Sequence, residues 1–117
     1  MTKTTNYEIS KKLAEIGFEA ETSTSMSMLE TKDYPSYDLE TLLDALPKKI
    51  TNKYGKEFTL EISFGVSNWI SYIDENDYIF LSENYIDGQM ESEKNESLAD
   101  TAGRMLILFH ENNLIKF

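Results

Sequence analysis

Between Glu57 and Val66 polar and apolar residues alternate without a break. Phe58, Leu60, Ile62, Phe64 and Val66 are set against Glu57, Thr59, Glu61, Ser63 and Gly65. Successive side chains of a strand point to opposite faces, so this period of two describes a strand with one face buried and one wet. A helix through the same residues would scatter the apolar set around its surface. The strand also constrains the residues C-terminal to it. Ser67-Asn68 reads as a turn, Trp69 to Ile73 as a second strand, Asp74 to Asp77 as another turn, and Tyr78 to Ser82 as a third strand. Connections this short cannot make parallel crossovers, so the three strands form an antiparallel meander.

Helical periodicity flanks the meander. Ile9, Leu13 and Ile16 make one stripe of a helix from about Asn6 to Ile16. Thr5-x-x-Glu8 has capping-box spacing, and Gly17 with Phe18 beyond it supplies the stop. Asp38 is a good N-cap for a second helix whose apolar face is Leu39, Leu42, Leu43, Leu46 and Ile50. Pro47 lacks a backbone donor and clashes with the preceding turn, so the regular helix ends near Leu46. Ser97-x-x-Asp100 opens a third helix running to about Asn112, with Leu98, Ala102, Met105, Leu106 and Phe109 as its main stripe. A weaker alternation around Met26 and Met28 reads as a short edge strand near Thr24 to Glu30. The expected fold class is α+β in one domain spanning residues 1–117. It has a three- to four-stranded antiparallel sheet with helices packed on one face, in the order α-(β)-α-β-β-β-α.

Composition removes several classes. The 14 aromatics among 117 residues are too many for a chain that buries nothing. Without cysteine there are no disulfides, no thiolate catalysis and no zinc–thiolate site. A net charge of −10 argues against direct phosphate binding, which needs clustered Lys and Arg. The longest apolar run is Met105 to Phe109, far short of the roughly 20 residues of a membrane span. The N-terminus carries no apolar signal segment, so the expected compartment is the cytoplasm.

The charge is concentrated. Residues 74–100 hold nine acids and the single base Lys94, a net −8, against −3 for residues 1–73 and +1 for residues 101–117. A solvated, solubilising surface is the plainer reading. The sharper one is a docking surface for a basic partner, built from Asp74, Glu75, Asp77, Glu83, Asp87, Glu91, Glu93 and Glu96. Carboxylates spaced along a loop can also imitate nucleic-acid phosphates in the groove of a DNA- or RNA-binding enzyme.

Catalytic and metal signatures are weak. His110 is the only histidine and lies in the last turn of the final helix, where the dipole favours a cation. Asp74, Glu75 and Asp77 miss calcium-loop spacing, because the twelfth position from Asp74 is Tyr85. The five glycines are isolated, so no phosphate-binding loop is present. Glu57 and Glu61 share a strand face, as acids on most wet faces do. The expectation is a non-enzymatic protein with no catalytic residue, metal or cofactor. Gly103, inside a helix, marks close packing against a neighbouring element. Ile107 and Leu108 widen the final helix's apolar stripe until that turn is apolar all round, which marks a core position or a self-association face.

Four segments together resemble short phage, prophage and mobile-element proteins. They are Ile9 to Glu19, Tyr37 to Pro47, Asn68-Trp69, and Glu96 to Asp100 leading to Glu111 through Lys116. They cover roughly half the chain and consist of caps and core faces, so the resemblance implies origin and fold. Where such relatives often begin the last helix with alanines, this chain has Thr101-Ala102-Gly103. In size, acidity and element order, without a shared motif, the chain also resembles small acidic anti-CRISPR proteins. The expected function is that of a mobile-element accessory protein acting by protein–protein binding, as monomer or homodimer. The alternatives are an acidic nucleic-acid mimic that inhibits an enzyme, and a small carboxylate-based enzyme.

Overall fold

The computed structural model describes residues 4–18 and 36–115. Helix α1 spans Tyr7–Glu15, α2 Leu39–Ala45 and α3 Leu98–Glu111; strands β1 to β4 span Lys49–Thr51, Glu57–Ser63, Trp69–Ile73 and Gln89–Glu91. The fold is α+β, as the periodicities indicate. The expected strand near Thr24 to Glu30, with Met26 and Met28, lies outside the described residues. The chain forms two compact units, Met1–Leu46 with Asn95–Phe117, and Pro47–Lys94.

In the helical unit, α3 packs against both α1 and α2. Leu13, Leu42, Ala102, Met105, Leu106 and Phe109 are fully buried. At Gly103 α3 lies close against α1, since a Cβ there would stand 2.5 Å from Cγ2 of Ile9. The expected capping box at Thr5 is not formed. Asn6 caps α1 instead, its side chain accepting from the Ile9 N–H at 2.9 Å. Thr5 is committed elsewhere: its hydroxyl lies 2.6 Å from that of Ser10 and accepts from the Tyr37 N–H at 3.1 Å. At the far end of α1, Gly17 takes φ +90°. The Phe18 N–H reaches Leu13 C=O and the Gly17 N–H reaches Ala14 C=O, the two bonds of a Schellman stop. Asn113 (φ 60°) repeats the device after α3, with Leu114 bonded to Phe109 and Asn113 to His110.

Asp38 caps α2, accepting from the Thr41 N–H at 2.8 Å. Leu46 is extended (ψ 137°), as the residue before a proline must be, and the helix stops there. Ile50 therefore does not extend the helix face. It belongs to β1, opposite Phe58.

The second unit is a four-stranded sheet in the order β1-β2-β3-β4, every neighbour antiparallel. Phe58, Ile70 and Tyr72 lie on its buried face, and Phe80 meets Phe58 edge-on at 5.5 Å. Two strand expectations are corrected. The alternation of β2 ends at Ser63, leaving Phe64 and Val66 73 % and 110 % exposed in the connection to β3. Tyr78 to Ser82 makes only isolated bridges, Ile73 to Ile79 and Leu81 to Asp87. The outer partner of β3 is β4, Gln89–Glu91.

The cause is a second tight turn. Tyr85 adopts φ 61°, its N–H bonds Ser82 C=O, and the Ser82 hydroxyl accepts the N–H groups of Asn84 and Ile86. The chain doubles back, and three segments converge at Tyr72. Its N–H donates to Gly88 C=O at 2.7 Å, its C=O accepts from the Phe80 N–H at 3.0 Å, and the Gly88 N–H donates to Phe80 C=O at 2.8 Å. Any side chain at Gly88 would put a Cβ 2.8 Å from that of Phe80.

Candidate functional site

The eight carboxylates read as one acidic surface are distributed over both units. Asp74 through Glu93 belong to the sheet unit and Glu96 to the helical unit. Among the described residues, Asp74, Glu75 and Glu96 each lie close to a cation of the chain. Lys56 Nζ bonds Glu75 at 2.7 Å and stands 3.9 Å from Asp74. Arg104 grips Glu96 through Nε and Nη2, both at 2.7 Å, and Thr101 donates its hydroxyl to the same carboxylate at 3.0 Å.

Asp74 also organises the β3 turn. One oxygen accepts the N–H groups of Asn76 and Tyr78, at 2.8 and 3.0 Å. Burial works against its ionisation, but those amides and Lys56 outweigh it and hold its carboxyl below the usual carboxylate range. The hydrogen bond from Lys56 lowers the Glu75 carboxyl likewise, and the same bond raises the Lys56 ammonium. Asp77 occupies the left-handed position of this turn (φ 65°), a conformation Asp tolerates better than most side chains. Asp77, Glu83, Asp87, Glu91 and Glu93 are exposed.

The residues with candidate self-association or acid–base roles lie on α3. Ile107, Leu108 and His110 are all half-buried. Among the described residues no three His, Asp or Glu side chains come together as a metal-ligand set. No helix among them is long and apolar enough to cross a membrane.

Two arrangements escape sequence reasoning. The first is a set of exposed apolar side chains on the sheet unit: Tyr54 (81 %), Phe64, Val66, Tyr78 (68 %), Leu81 and Tyr85 (80 %). All but Leu81 stand in, or directly beside, turns where core burial is not available. In sequence an aromatic at a strand end looks like core, so only its turn neighbours hint at exposure. The second is the outer face of the sheet. Its register sets Ser63, Trp69 and Glu91 side by side, and Glu61, Ser71 and Gln89 in the next row. Comparison with protein-family models, curated proteins and solved structures finds no match to this chain.

Proposed function

We propose that this chain is a non-enzymatic binding module that works by protein–protein contact. One observation carries the reading: six large apolar side chains of the sheet unit, Tyr54, Phe64, Val66, Tyr78, Leu81 and Tyr85, are turned to solvent. Aromatic side chains supply much of the energy of protein interfaces. The exposed carboxylates Asp77, Glu83, Asp87, Glu91 and Glu93 lie on the same unit and set the charge of a suitable partner as basic. The resemblance to phage and prophage proteins supports an accessory role in the cytoplasm of a bacterial host.

Affinity capture from a bacterial lysate, with partners identified by mass spectrometry, tests the reading. The comparison is between the natural chain and a triple variant, Phe64→Ser, Val66→Ser and Tyr85→Ser. These positions are exposed, so the unfolding midpoint should stay where it is while the captured partner is lost. Equal capture by both chains would overturn the reading. The nucleic-acid-mimic alternative would show itself by a captured nucleic-acid-binding enzyme that elutes with modest salt and competes with DNA or RNA.

A further inference from the structure

The outer face of the sheet sets an indole in a frame of carboxylates. Trp69 opens β3, with Ser63 of β2 on one side and Glu91 of β4 on the other. The 2.8 Å bond from the Ser92 N–H to Asn68 C=O makes Trp69 and Glu91 a non-hydrogen-bonded pair. That is the closer of the two antiparallel pairings, with Cα atoms about 4.5 Å apart. Glu61 of β2 pairs with Ser71, so it shares this face and lies diagonal to Trp69, within reach of a long side chain. Glu61 and Glu91 are exposed, and Glu61 forms no ion pair among the described residues. Trp69 is half-buried, which leaves part of its surface accessible.

This combination suits one kind of group. A cation near an aromatic face is attracted by the ring quadrupole, and Trp is the strongest aromatic partner. Carboxylates beside the ring add Coulomb attraction and accept N–H donors. A guanidinium uses both features better than an ammonium, because it is planar, stacks, and meets carboxylates with a fork of donors. The neighbouring β2–β3 connection presents Phe64 and Val66 to solvent, which suits apolar residues flanking such an arginine. The same carboxylates repel nucleic acid and anionic lipid.

Resting on the binding-module reading, we infer that the Trp69 face takes an arginine-bearing segment of a protein partner, with the guanidinium over Trp69 between Glu61 and Glu91. Trp69 is the sole tryptophan, so its emission reports on this face alone. The probe is a synthetic hexapeptide of alternating Arg and Leu, with a Glu–Leu hexapeptide as its counterpart. The Arg–Leu peptide should change the emission saturably, and the Glu–Leu peptide should leave it unchanged. The double variant Glu61→Gln and Glu91→Gln should bind about tenfold more weakly with an unchanged melting curve, and raising salt should weaken the natural chain more than the variant.

Absence of an emission change, equal response to both peptides, or full affinity in the double variant would overturn the inference. So would a blue shift with neutral phosphatidylcholine vesicles and none with peptide, which would mark Phe64 and Val66 as a membrane-inserting tip. If the peptide fails while lysate capture still depends on Phe64 and Val66, the arginine chemistry falls and the binding-module reading stands.

Discussion

The Asp100 carboxylate accepts the backbone N–H of Asn6 at 2.7 Å across 94 positions of sequence. In a local capping box, the residue three positions into a helix reaches back to the N-cap N–H. In α1 that residue is Ile9, which has no acceptor. Asp100, in the first turn of α3, supplies the missing oxygen while its own N–H is capped by Ser97 at 3.1 Å. One carboxylate thus joins the starts of two helices within the helical unit.

Removing this acceptor should cost stability. Asp100 is 8 % exposed, and a hydrogen bond to a charged group contributes about 1.5–3 kcal/mol. Asp100→Ala should lower unfolding stability by that order in urea titrations. Asp100→Asn retains an acceptor oxygen and should stay within about 1 kcal/mol of the natural chain. Equal losses in both variants would show that packing, not the hydrogen bond, sets the cost.

The pH dependence of these residues has opposite signs. Burial raises the Asp100 carboxyl above its ordinary range, ahead of the opposing bonds from Asn6 and Ser97 and with Glu96 adding to the rise. A raised acid stabilises the fold below its unfolded value of about 3.9, and that contribution fades as pH climbs through the folded value. Relative to the natural chain, Asp100→Asn should therefore gain stability between pH 4 and neutrality. Asp38 runs the other way: hydrogen bonds from Thr41 lower it, so its contribution is present above about pH 4 and is lost on acidification. Asp38→Asn should lose relative stability as pH rises from strong acid toward about 4 and stay level above it. Urea unfolding at stepped pH measures both slopes.

Gly103→Ala should destabilise the chain, although alanine normally improves a helix by about 1 kcal/mol. The new Cβ would meet Cγ2 of Ile9 at 2.5 Å, and overpacking of this kind typically costs about 1–3 kcal/mol. Combining it with Ile9→Ala removes the clash. A double-mutant cycle by thermal unfolding should show the pair to be less damaging than the sum of its parts.

The carboxylates of the acidic stretch should fall into two groups. Glu96 is held by Nε and Nη2 of Arg104 with its side chain only 12 % exposed. Glu96→Lys would set two cations together in a partly covered place and should lower the unfolding midpoint markedly. Glu83→Lys with Asp87→Lys alters exposed positions and should leave the midpoint nearly unchanged while weakening capture of a basic partner. Loss of fold in the second pair would remove those residues from any docking surface.

Local signals carried the helices far better than the sheet. The stripes of α1 and α3, the Gly17 stop, the Asp38 and Ser97 caps and the break before Pro47 are each decided within about five residues of sequence. The failures share a cause. Thr5 lost the cap because its hydroxyl had partners at Ser10 and Tyr37. Gln89–Glu91 pairs with β3 because a turn at Tyr85 returns the chain, and three residues carry no usable period. Acids that look alike in sequence take different settings because Lys56 reaches Glu75 and Arg104 reaches Glu96 from distant positions.

Periodicity, caps and proline placement by themselves determined the α+β class, three helix positions and the two long strands. Each is a short-range preference of the backbone and of adjacent side chains. Only the tertiary structure decided that Asp100 completes the α1 cap, that β4 borders β3, and which carboxylates remain exposed. Those outcomes depend on groups brought together from distant positions, where burial and competition for hydrogen-bond partners outweigh local propensity.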